Sequence, residues 1–103
     1  MTDDGDLAVA RVGDAVVVRV AGELDLATAP ALWAALERAL IDAHQVVVDL
    51  SAVTFVDSTG LSVLLRAYQA VGVTGTLKVR GPNAQARRLF EMSRVESLID
   101  VES

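Results

Sequence analysis

Asp57-Ser58-Thr59-Gly60-Leu61 sets a carboxylate, two hydroxyls and a glycine in one short run, after an apolar extended stretch and before a helically spaced apolar stripe. A hydroxyl in that place stands at the start of a helix. There the free backbone N–H groups and the positive end of the helix dipole favour an anion, so a phosphoserine would be tolerated. The alternative for Ser58 is structural, because Ser and Asp are the commonest helix N-caps. Position alone leaves both readings open.

Other chemistries fit less well. A serine hydrolase needs a base within hydrogen-bond reach. The run is not G-x-S-x-G, and His44, the one histidine, falls between the first helix and the next strand, at the opposite end of a sheet. Even a five-residue strand spans roughly 16 Å, so no catalytic residue is expected. One histidine without cysteine makes no metal site. Gly72-Val73-Thr74-Gly75 lacks the Lys and Ser/Thr of a Walker loop and the spacing of a dinucleotide fingerprint, so no cofactor is expected either. Asp25, in the loop after a Val-rich strand, is an ordinary turn residue unless the fold brings it to Ser58. Trp33 reads as core, and Arg87-Arg88 as the wet face of a helix.

The elements that must position these residues are legible from periodicity. Residues 7–12 alternate as an edge strand does, Gly13-Asp14 reads as a hairpin turn, and residues 15–21 carry Val16, Val17, Val18 and Val20, the pattern of a strand buried on both faces. Thr28 as N-cap and Pro30 in the first turn start a helix carrying Leu32, Trp33, Leu36, Ala39 and Leu40 that runs to about Ala43. A second β-branched run covers 45–50, with a separate short extended piece at 53–56. Leu61, Leu64, Leu65, Tyr68 and Val71 define a helix over 59–71 capped by Gly72. A strand at 76–80, a turn with Asn83 as cap, a helix over 84–92 and a last strand at 98–101 complete the chain. Helices between consecutive strands imply an α/β fold, a mixed and mostly parallel β-sheet with α-helices packed on it. The loops after the parallel strands then lie at one end, bringing Asp25, the run from Asp57 and Asn83 together.

Composition bounds the rest. The chain has 103 residues, 52% hydrophobic, with a mean hydropathy of +0.43, enough for a single domain over 1–103 and too apolar for disorder. Asp3, Asp4 and Asp6 form an acidic lead-in expected to fray over residues 1–6. Charges at Arg19, Glu23, Asp25, Glu37, Asp49 and Arg66 interrupt every apolar run before the roughly 18 residues of a membrane span, and no signal peptide is read at the start, so no membrane partner is expected. A net charge of -5 without a basic run argues against nucleic acid. The absence of cysteine fits a reducing compartment, the cytoplasm by expectation.

Four segments stand in order: Gly22-Glu23-Leu24-Asp25, Val46-Val47-Val48-Asp49-Leu50-Ser51, Phe55-Val56-Asp57-Ser58-Thr59-Gly60-Leu61 and Arg88-Leu89-Phe90-Glu91-Met92-Ser93. Together they resemble the STAS domain family, and more narrowly its single-domain anti-sigma factor antagonists of bacteria, from about residue 7 to 99. The resemblance implies the STAS fold and a phosphorylation site at Ser58. It implies a partner that is both anti-sigma factor and serine kinase, supplying its own Mg-ATP, and indirectly a sigma factor. It also implies a partner surface at Asp25, Asp57, Thr59, Gly60 and Leu61, beside which the sheet-end grouping sets Asn83. The unphosphorylated form would bind the anti-sigma factor and free the sigma factor, with no enzymatic activity of its own. The competing expectation is a STAS scaffold or ligand-sensing module in which Ser58 is only a helix cap. Two features depart from the family pattern: Arg94-Val95 stands where Gly-Leu often follows Met-Ser, and the sequence stops near Val101, where many relatives continue into a final helix.

Overall fold

The computed structural model describes residues 7–72 and 75–102, and the acidic lead-in lies outside them. The elements are β1 (Leu7–Val12), β2 (Ala15–Leu24), α1 (Ala29–Asp42), β3 (Gln45–Val56), α2 (Ser58–Val71), β4 (Thr76–Arg80), α3 (Ala84–Met92) and β5 (Asp100–Glu102), with a 3-10 turn at Val95–Ser97. Strand order in the sheet is β1-β2-β3-β4-β5. β1 pairs antiparallel with β2 through the turn at Gly13, whose φ is +60°, and the other pairings are parallel.

The parallel strands follow one another in a single direction, and parallel crossovers are right-handed, so the three helices fall on one face. Burial agrees. Val16, Val18, Val20, Val46, Val48, Leu50, Leu77 and Val79 form one core with Leu32 and Leu36 of α1, Leu64 and Ala67 of α2, and Phe90 of α3. Among the described residues the other face carries no helix, which corrects the reading of the β2 valine run as buried on both sides: Val17 is half-buried and Arg19 exposed. Across that open face Arg19, Asp49, Arg80 and Glu102 stand in register, alternating in sign. Burial pushes the Asp49 carboxyl up, but hydrogen bonds from Ser51 and the charges of Arg19 and Arg80 outweigh it, holding the group below the ordinary carboxylate range.

Three further details differ from expectation. β3 is continuous where a break was expected at Ser51, because bulges absorb the irregularity: β2 advances two residues from Arg19 to Ala21 while β3 advances three from Asp49 to Ala52. Trp33 is half-buried, with the Arg66 guanidinium 4.1 Å from its ring centroid, tying α1 to α2 at the surface. The last strand begins at Asp100, because Arg94 turns the chain in the left-handed region (φ 60°) and residues 95–99 are spent on the 3-10 turn and the buried Ile99. Arg94 thus takes a conformation that glycine adopts freely.

Candidate functional site

β4 ends at Arg80, opposite Asp49, whereas β2 and β3 run on together to Leu24 and Val56. The site sits on this overhang. After Val56 the backbone of Asp57 is extended, and its Oδ1 accepts hydrogen bonds from the Thr59 N–H at 2.8 Å and the Gly60 N–H at 3.0 Å. Asp57 is therefore the N-cap of α2. Ser58 is not the cap: it is the first helical residue, exposed, and its carbonyl accepts from Ser62 Oγ at 2.9 Å. Among the described hydrogen bonds the Ser58 hydroxyl has no partner.

Asp25 lies in the turn between β2 and α1. Its Oδ1 accepts from the Ala27 N–H at 3.0 Å and the Thr28 N–H at 3.3 Å, while Thr28 Oγ1 accepts from the Asp25 N–H at 2.9 Å and donates to the Glu23 carbonyl at 2.8 Å. Thr28 occupies the N-cap position expected of it, yet its hydroxyl bonds back into the turn and makes no cap bond to α1. The two turns meet at Leu24, whose carbonyl accepts from the Asp57 N–H at 3.1 Å. Gly60 makes this approach possible, since a Cβ there would fall 2.6 Å from Leu24 Cγ and 2.8 Å from the Leu24 carbonyl oxygen.

The expected cluster thus assembles, with a division of labour that sequence does not show. Ser58 is presented outward, and Asp25 and Thr59 are half-exposed. Gly60 and Leu61 are buried and support the helix start from beneath. Asn83 caps α3 by accepting from the Ala86 N–H at 2.9 Å, and its Nδ2 donates to the Thr54 carbonyl at 3.0 Å and the Val53 carbonyl at 3.3 Å. It therefore joins the same end as a structural tie to β3. His44 precedes β3 and Asp57 follows it, so the whole of a twelve-residue strand lies between them. Among the described residues no three His, Cys, Asp or Glu side chains group as a metal site, and no helix is long and apolar enough to cross a membrane.

Sequence reasoning missed two things. Leu26, 74% exposed in the turn before α1, and Phe55, 43% exposed near the end of β3, add apolar surface to an end that also carries Glu23, Asp25 and Asp57. The signal for Leu26 was available, as a large apolar residue in an expected loop, whereas Phe55 fell within the expected extended piece at 53–56. Gln85, which bonds Val56, had no sequence signal at all.

Comparison with known proteins covers most of the chain. The family model described as Mlab, STAS domain, matches residues 7–100. A protein of Listeria monocytogenes named an anti-sigma-B factor antagonist is 33% identical over 92 residues, 87% of this chain and 81% of that protein. A Bacillus subtilis protein of the same name is 30% identical over 87 residues, 84% of this chain and 80% of its own. The crystal structure of an anti-sigma factor antagonist from Mycobacterium paratuberculosis superposes with a TM-score of 0.88 at 31% identity, covering 93% of this chain and 83% of that one.

Proposed function

The chain belongs to the STAS domain family, and on that premise we propose that it is an anti-sigma factor antagonist switched by phosphorylation of Ser58. The observation that carries this reading is the free hydroxyl: Asp57 takes the cap of α2, so Ser58 is exposed at the helix start with no structural task for its side chain. Leu26 and Phe55 supply exposed apolar area beside it for a partner. The unphosphorylated form binds an anti-sigma factor that is also a serine kinase, and a sigma factor is released. The kinase brings Mg-ATP, and its γ-phosphoryl group passes to Ser58 Oγ with loss of the hydroxyl proton and release of ADP.

The switch follows from local electrostatics. Phosphate adds about -1.5 to -2 charges at pH 7. The Thr59 and Gly60 amides that would receive it are already held by Asp57, so the new charge stands next to a carboxylate and faces outward. An interface packed against Ser58 would have to bury that charge, which is unfavourable without a matching cation. This reading places the protein in the cytoplasm, where the kinase draws on ATP.

The test is partner affinity for the unphosphorylated chain, the phosphorylated chain, Ser58→Ala and Ser58→Asp, with thermal melts to establish folding. Ser58→Ala should take no phosphate and bind throughout, and Ser58→Asp should bind more weakly. Equal binding by the phosphorylated and unphosphorylated forms would overturn the switch and favour a passive scaffold.

A further inference from the structure

β3 outlasts its neighbour on one side: its residues 50–56 keep β2 on one flank, but β4 has stopped at Arg80. A strand edge left this way carries unpaired N–H and C=O groups that must find partners or water. At Val56, whose side chain is fully buried, one residue supplies both partners. Gln85 Oε1 accepts from the Val56 N–H at 2.9 Å, and Gln85 Nε2 donates to the Val56 carbonyl at 2.8 Å. The side-chain amide reproduces the donor and acceptor pair that a neighbouring parallel strand would offer.

On the opposite flank the next residue, Asp57, gives its N–H to the Leu24 carbonyl, and its carboxylate then starts α2. The run leading to Ser58 is therefore gripped from both sides, by Leu24 and by Gln85. From this geometry we infer that Gln85 is a positioning residue for Ser58: it fixes the end of β3, and through Asp57 the place and direction in which the serine is presented to the kinase. The inference rests on the Ser58 reading above and adds to it a residue on a different helix that does not touch the acceptor oxygen.

The experiment uses the full chain with its kinase, reading KM and kcat for the protein substrate together with amide hydrogen exchange. Gln85→Met keeps the length and removes both bonds, whereas Gln85→Glu keeps the acceptor and loses the donor. Val16→Ala, near the other end of the sheet, is the control for general loss of stability, with temperatures set so that each variant is equally folded. Losing two bonds of ordinary strength should raise KM for Gln85→Met about tenfold with kcat nearly unchanged, and speed exchange at the Val56 amide at least tenfold while Val46 and Val48 stay protected. Gln85→Glu, which sets a carboxylate oxygen against the Val56 carbonyl, should raise KM at least as much as Gln85→Met, and Val16→Ala should leave KM as it was. Unchanged KM and a protected Val56 amide in Gln85→Met would overturn the inference, as would an equal rise in KM for Val16→Ala. If the wild-type chain itself takes no phosphate, the switch reading fails, and the positioning role then stands or falls on exchange at Val56, Asp57 and Ser58.

Discussion

The turns that open α1 and α2 lie side by side at one end of the sheet and use similar residues, an aspartate and a hydroxyl, in opposite ways. Before α1 the hydroxyl is consumed: Thr28 Oγ1 bonds the Glu23 carbonyl and the Asp25 N–H, and the Asp25 carboxylate closes the same turn. Before α2 the carboxylate does the capping alone, which leaves the hydroxyl of Ser58 out of the turn. The order of the residues decides it. An aspartate directly before the first helical residue reaches the second and third amides, and the serine that follows is turned outward with the helix. At the start of α2 the hydroxyl stays free because the aspartate before it has taken the cap.

The largest effect should come from removing what anchors the α2 turn to the core. Leu64 is fully buried, and Leu64→Ala should lose about 2 to 5 kcal/mol by urea unfolding. A smaller loss, within error of wild type, would mean that α2 is held by something other than this packing.

Gly60→Ala attacks the contact between the two turns. Its new Cβ overlaps Leu24 side chain and backbone, so a loss of about 1 to 3 kcal/mol is expected, with displaced amide resonances in both residues 24–28 and 57–61. Shifts confined to α2 would show that the turns are independent.

One pair of substitutions separates the two hydroxyls. Thr28→Val leaves the Glu23 carbonyl and the Asp25 N–H without their partner, and should lower stability by about 1 kcal/mol. Ser58→Ala removes no described hydrogen bond from an exposed side chain and should change stability by less than about 0.5 kcal/mol. Equal denaturation midpoints for the two would contradict the division between a structural hydroxyl and a free one.

The smallest effect is a reference remote from both turns, on the open sheet face. Asp49 has its carboxyl held below the ordinary range, so its contribution is present above the unfolded value near 3.9 and is lost as pH falls through the lower folded value. Asp49→Asn should therefore be less stable than wild type at pH 7, with the gap closing below about pH 4. Urea midpoints at the two pH values decide it, and a gap that persists in acid would remove the charge from the explanation. The same closing gap should appear in the Thr28→Val and Ser58→Ala backgrounds.

By itself the sequence determined the order of elements and which ends of the strands would meet. Valine runs, the apolar stripe Leu61, Leu64 and Leu65, Gly13 at the hairpin and Asn83 as a cap are all local, so their signal lies within a few residues. The Asp57-Ser58 run was legible for the same reason, as was the distance of His44 from it. Tertiary structure decided the matters that depend on neighbours distant in sequence. One-directional crossovers left the second face of β2 uncovered although Val17 reads as core. The short β4 exposed the edge of β3, and only then did Gln85, an unremarkable glutamine on a helix, acquire two backbone partners 29 residues away. Which residue caps α2 was settled by the extended backbone of Asp57, fixed through its N–H to the Leu24 carbonyl, and composition carries no trace of that bond. Local periodicity is a property of neighbours in the chain, whereas satisfying a buried backbone group depends on whichever element the fold brings beside it.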